Sequence, residues 1–282
     1  MLRGLDHAVP SRAPQATRDI AAPGRVTLMG VPIDRLTTSE VLRRIEGYVA
    51  ERRPRRIVTV NLDYLRLAGR EAAFRETLRS ADLAVADGMP LVWAAKLAGT
   101  SLPERVAGLD LVERIAEHGA PRGWSVFLLG AAPGVADEAG RVLASRYPSL
   151  RIAGTCAPPM GFGSEENARI VQMVREAAPD VLFVCLGAPR QDLWIHENID
   201  ALGVPVAIGV GCAFDVISGN VRRAPRWMQR AGLEWAYRLV NEPARLWRRY
   251  VLHDLPVFAR LVVDAARASR ARRAPAAQGE GA

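Results

Sequence analysis

The sequence predicts an α/β protein, a doubly wound and mostly parallel sheet with a C-terminal helical appendage. Three observations predict it. Short β-rich runs alternate with amphipathic helical stretches through the middle of the chain. Small and polar residues gather just after those runs, at the rim where an open α/β sheet binds ligands. The strand pattern stops near Ser218, and an arginine-rich helical texture takes over.

Strands are expected over 56–60, 83–86, 125–129, 151–155, 181–186 and 206–210, most of them rich in Val, Ile, Leu or Phe. Thr37 followed by Glu40 forms a capping box that opens a helix running to about Ala50. A helix through Trp93 and Leu97 follows Asp87-Gly88-Met89-Pro90. Apolar residues at spacings of three and four place further helices over 109–117, 134–146 and 165–177. Beyond 218, Pro225, Pro243 and Pro256 divide what reads as three helices. The arrangement is Rossmann-like. It divides into a disordered leader (1–24), an α/β catalytic core (25–218), a basic helical appendage (219–273) and a disordered tail (274–282).

Composition narrows the function. Of 282 residues, 49% are hydrophobic and 24% charged, which excludes wholesale disorder. No run approaches the ~18–20 apolar residues of a membrane span. The start of the chain has no apolar signal region. Three scattered cysteines give neither a disulfide framework nor a zinc motif, and fit a reducing compartment. The net charge of +8 is concentrated: between Arg222 and Arg273 thirteen arginines face four acids, so this segment carries +9 and the remainder −1.

The strand ends hold the candidate chemistry: Thr59-Val60-Asn61, Asp87-Gly88, Gly130 to Gly134, Gly187 to Gln191 and Gly209-Val210-Gly211. Such a rim suits a polar, phosphate-bearing ligand, since helix N-termini there offer free N–H groups. Gly130 and Gly134 lack dinucleotide-fingerprint spacing, so they read equally as a backbone device or a phosphate loop. Asp87 reads equally as a helix cap or a catalytic carboxylate. The four histidines have no metal-ligand spacing, and no D-x-D sequence occurs. Neither a metal nor a cofactor is expected. A nicotinamide-dependent oxidoreductase is an alternative that the missing fingerprint disfavours. A basic-tailed nucleic-acid-binding protein is another, against which stand the prolines and interleaved Trp and Leu of the tail.

The stretch from Gly209 to Tyr250, with Ala-Phe-Asp215, Arg-Arg-Ala-Pro-Arg-Trp and Leu-Glu-Trp-Ala-Tyr-Arg-Leu, resembles the WecG/TagA/CpsF glycosyltransferases, glycosyltransferase family 26. The resemblance spans about 27–255 and includes Thr59-Val-Asn61, Ala86-Asp87-Gly88-Met-Pro, Arg105-Val-Ala-Gly-Leu-Asp110 and Leu186-Gly-Ala-Pro-Arg-Gln191. It implies an inverting enzyme that moves a sugar from a UDP donor to a polyprenyl-diphosphate-linked sugar at the inner, cytoplasmic face of the cell membrane; the missing D-x-D and the lack of clustered ligands make metal dispensable. By that resemblance Asp87 is the general base. Thr59, Asn61, Arg105, Gln191 and Asp215 contact donor or acceptor, and Arg238, Arg245 and Arg248 close on the diphosphate. Two departures stand out: Arg190-Gln191-Asp192 replaces the family's Lys-Gln-Glu, and Cys212 replaces a commoner glycine. Partners implied are the UDP-sugar, the lipid-linked acceptor and an anionic membrane surface under the appendage; nucleic acid is not expected, and a homo-oligomer is left open.

Overall fold

The computed structural model describes residues 24–273. The expected leader, apart from Gly24, and the expected tail lie outside them. A two-residue turn joins β1 (Arg25–Leu28) and β2 (Val31–Asp34) into an antiparallel hairpin that precedes the sheet. Its turn residues Met29 and Gly30 both have positive φ, the geometry that matches a hairpin's twist.

Six strands then form one parallel sheet: β3 (Arg55–Val60), β4 (Leu83–Ala86), β5 (Ser125–Gly130), β6 (Arg151–Cys156), β7 (Val181–Cys185) and β8 (Val206–Gly209), in the order β4-β3-β8-β7-β5-β6. All six expected strands are present, within a residue at each end. Helices cross between them: α1 (Thr38–Glu51), α2 (Leu62–Arg70), α3 (Ala72–Arg79), α4 (Met89–Leu97), α5 (Gly108–Gly119), α6 (Val135–Arg146), α7 (Ser164–Ala177) and α8 (Arg190–Leu202). The capping box at Thr37 and Glu40 forms as expected.

Both faces of the sheet are covered, and period-two alternation decides which side chain goes where. Ile57, Val126, Leu128, Phe183 and Ile208 face one cluster beneath α1, α5 and α6. Val58 and Val60 face a second cluster with α2, α3, α4 and the hairpin. Phe127, Leu129, Leu182 and Val184 face a third with α7 and α8. The chain leaves β5 outward to β6 but leaves β7 inward to β8. That reversal opens a crevice at their carboxyl ends.

After β8 the chain runs through α9 (Ala213–Ile217), α10 (Arg226–Arg230), α11 (Glu234–Asn241) and α12 (Pro243–Trp247), passes through a π-helical stretch (Arg248–Asp254), and ends in α13 (Leu255–Arg273). The expected break at Pro256 does not occur. Proline is tolerated in a first helical turn, where its missing N–H has no partner to lose, and the π stretch supplies such a restart. α13 returns across α4 and buries Leu261 and Ala265 in the second cluster. Gly232 permits the close approach of this segment to α4: its φ is +74°, and a Cβ there would stand 2.8 Å from Cγ of Met89.

Candidate active site

A cavity of about 920 Å³ opens between the carboxyl rim of the sheet and the C-terminal helical segment. Its lining carries the charged residues Asp87, Arg105, Asp215, Arg223, Glu234 and Arg238 and the apolar residues Met89, Trp93, Trp235, Leu246, Leu255 and Phe258. Such a lining accommodates a charged head with an apolar extension.

Asp87 follows β4 and does not cap α4, whose N-cap is Gly88 without a side-chain bond. Its Oδ2 instead accepts from the N–H of Gly108 at 3.4 Å, at the start of α5. Burial pushes its carboxyl up to about 6, against the pull of Arg105, of the Gly108 N–H and of Arg238; Glu234 adds to the rise. A carboxylate in that range is charged at neutral pH and can still take a proton.

Beside it lies an ion-pair cluster on Glu234 of α11. Arg105 donates to Glu234 at 3.0 Å and to Asp110 at 3.3 Å; Arg238 reaches Glu234 at 3.1 Å. Arg223 stands 3.7 Å from Glu234 and pairs with Asp110 as well. Burial alone would raise the Glu234 carboxyl, but Arg238, the hydrogen bond from Arg105 and the charge of Arg223 hold it below the usual range. Nη1 of Arg238 also lies 3.7 Å from Sγ of Cys212.

Three expected contact residues line the cavity while spending polar atoms on the scaffold. Thr59, 4% exposed, donates to the carbonyl of Gly209 at 3.1 Å and so ties β3 to the carboxyl end of β8. Oδ1 of Asn61 caps α2 by accepting from the N–H of Tyr64. Gln191, 1% exposed, donates to the Tyr64 hydroxyl at 2.8 Å and accepts from the N–H of Gly211 at 3.2 Å. The same hydroxyl donates to Asp192 at 2.7 Å. Burial raises Asp192 to about 7 although Tyr64 and Gln191 work against it, and its Oδ1 has no hydrogen-bond partner.

Asp215 sits on α9 in the cavity wall, and its charge helps raise the neighbouring thiol of Cys185, which burial pushes up to about 12. The Gly130 turn is a backbone device: φ is +110°, and a Cβ would lie 2.3 Å from the carbonyl oxygen of Cys185. Of that loop Ala131 lines the cavity, whereas Gly134 does not. All three cysteines are free.

The arginines of the C-terminal segment divide. Arg238 lines the cavity. Arg248 is exposed, lies outside the lining and rests over the ring of Trp247 at 5.7 Å; the side chain of Arg245 lies outside the described part of the chain. Arg249 enters instead, near Asp63 and Asp254 at 3.6 Å each. Sequence reasoning missed Arg249, Asp254, Tyr64, Arg223 and Glu234. For Glu234 a signal existed: it is one of only four acids among thirteen arginines, and it stands four residues before Arg238.

Among the described residues no group of three or more His, Cys, Asp or Glu is placed to hold a metal ion, and no helix is long and apolar enough to cross a membrane.

A carboxylate tuned close to neutrality and set against guanidinium groups at the rim of a parallel sheet marks an enzyme of group transfer on phosphate-bearing substrates. The sequence model of the Glycosyl transferase WecG/TagA/CpsF family matches residues 26–272, and the chain belongs to that family. A relative from Bacillus spizizenii, named N-acetylglucosaminyldiphosphoundecaprenol N-acetyl-beta-D-mannosaminyltransferase, is 34% identical over 84% of this chain and 90% of its own length. Proteins of the same name from Bacillus subtilis (33% identical over 73% and 78%) and Staphylococcus aureus strain MW2 (29% over 86% and 94%) are similar too.

Proposed function

We propose that this chain is an inverting, UDP-sugar-dependent transferase that adds an N-acetylmannosamine-type hexosamine to a sugar carried on polyprenyl diphosphate, in the making of a cell-surface polymer. The observation that carries this reading is the meeting of Asp87 and the arginine cluster in one half-apolar cavity. Inversion needs one base, which deprotonates the acceptor hydroxyl as the anomeric carbon parts from the diphosphate; Asp87 takes that proton. Charge then develops on the departing UDP, and Arg238 with its neighbours neutralises it in place of a metal. The apolar lining residues Trp93, Trp235 and Phe258 accommodate the start of the lipid chain. The names of the relatives support the acceptor and the sugar.

The enzyme acts as a peripheral protein on the inner face of the cell membrane. Exposed Trp227, Trp247 and Leu252 beside arginines suit an anionic leaflet. Incubating the full chain with UDP-sugars and a short-chain polyprenyl-diphosphate-GlcNAc acceptor, with products read by mass spectrometry, tests the function. Transfer from UDP-N-acetylmannosamine in EDTA is the expected result. No transfer from any UDP-sugar, or full dependence on added Mg²⁺, would count against it.

A further inference from the structure

Arg105 and Arg238 act on Asp87 in the cavity, with Arg223 pairing to the same neighbouring acids, and without a nearer anion Asp87 would become their counter-ion. The nearer anion is Glu234. It receives Arg105 at 3.0 Å and Arg238 at 3.1 Å, with Arg223 at 3.7 Å, while Asp110 takes a further contact from Arg105 and from Arg223. Counted as formal charges, Arg105, Arg223 and Arg238 balance Glu234, Asp110 and Asp87. We propose that Glu234 is a positioning residue of the transfer reaction: as shared counter-ion of the three arginines it holds Arg105 and Arg238 beside Asp87 and keeps them from closing on Asp87 itself. The proposal deepens the transferase reading and rests on Asp87 being its base.

Two consequences follow from this arrangement. A carboxylate locked in bidentate pairs with arginine is a poor base, because each guanidinium stabilises its charged form. Holding the arginines off therefore preserves basicity without removing the cations that the departing diphosphate requires. The groups that face Asp87 are Arg105, the Gly108 N–H, Arg238 and Glu234, with Tyr64 behind it. Of these, Glu234 is the charge that opposes ionisation. A Glu234 that only fastened α11 to the core and sent no charge to Asp87 would leave its titration where it stands.

Glu234→Gln in the full chain separates the two roles. The expected result is a kcat lower by roughly tenfold, part of the ~10²–10⁴ that a general base supplies. KM for the UDP-sugar should not rise, because the arginines gain net charge. The acid limb of the pH profile should move downward by about one unit, as expected when a carboxylate loses a like-charged neighbour among cations. Glu234→Asp, which keeps the charge, should return the limb toward its original position. The Asp87 carboxyl is also titrated without substrate, by infrared difference against Asp87→Asn. A downward move there with no transferase activity in any variant would retire the functional reading and leave the electrostatic one standing. An unmoved carboxyl in Glu234→Gln overturns the proposal. Should that variant not fold, Glu234→Asp decides on kcat: its carboxylate, one methylene shorter, holds the arginines less well, so kcat must fall short of wild type, and a full wild-type kcat with an unmoved Asp87 midpoint overturns the proposal.

Discussion

Replacing Asp87 by Asn should cost activity and gain stability at once. The change is isosteric, and the amide oxygen can still accept from the Gly108 N–H. Burial lifts Asp87 from 3.8 to about 6. At about 1.4 kcal/mol per pH unit, the ionised carboxyl therefore costs the folded state at most about 3 kcal/mol. The ceiling is not reached in full, because the group opens onto the cavity and water screens it. The sign follows from proton counting. Between pH 3.8 and about 6 the unfolded chain has lost this proton and the folded chain keeps it, so wild-type stability falls as pH rises through that window. The Asn variant does not titrate. Its advantage is absent below pH 4, opens toward pH 6 and stays constant above. Urea unfolding at pH 4, 6 and 8 reads the stability. Transfer measured by mass spectrometry should fall by two orders of magnitude or more. An Asn variant no more stable at pH 8 than at pH 4, relative to wild type, refutes the buried-charge account. Near-normal turnover removes Asp87 as the base.

Wild-type transfer should rise with pH through about 6, since the base must be ionised; a rate flat between pH 5 and 7.5 in the chemical step contradicts that assignment. Tyr64→Phe strips a hydroxyl from Gln191 and Asp192, and leaving those buried groups unpaired should cost about 1–3 kcal/mol in urea unfolding. Leu261→Ala opens a cavity where α13 meets the core and should cost ~2–5 kcal/mol, whereas a loss under ~0.5 kcal/mol would mean that this helix contributes little. The full chain should sediment with anionic vesicles at low salt and be released at high salt, and sedimentation indifferent to salt would rule out polybasic attraction.

The parallel sheet was legible because all its strands but the edge strand β6 are largely buried and read as short apolar runs between turn residues. The hairpin escaped notice because its turn is Met29-Gly30, and methionine is a poor signal for a position with positive φ. α2 and α3 follow each other with only Glu71 between them, too tightly for a boundary to show in periodicity. In the site, Asp87 and Arg238 were found from motif resemblance, and the structure places both in one cavity. What stayed hidden were partners distant in sequence, such as Tyr64 with Asp192 and Arg105 with Glu234. No local spacing encodes those contacts; the return of the chain across the rim creates them.

The widened helical turn at Arg248–Asp254 makes the chain's length at this point a variable with chemical meaning. An α-helix advances 100° per residue, and a π turn takes up one residue more than the helix around it. Excising a single residue there would restore an unbroken ladder with α12 and α13 keeping their mutual orientation, because the widened turn is what absorbs the extra residue. Only the side chains inside the widened turn, Arg248 now outside the cleft and Arg249 now inside it among them, would be re-aimed. A one-residue length polymorphism in this stretch would therefore change which arginine faces the cleft while leaving the helices on either side in place.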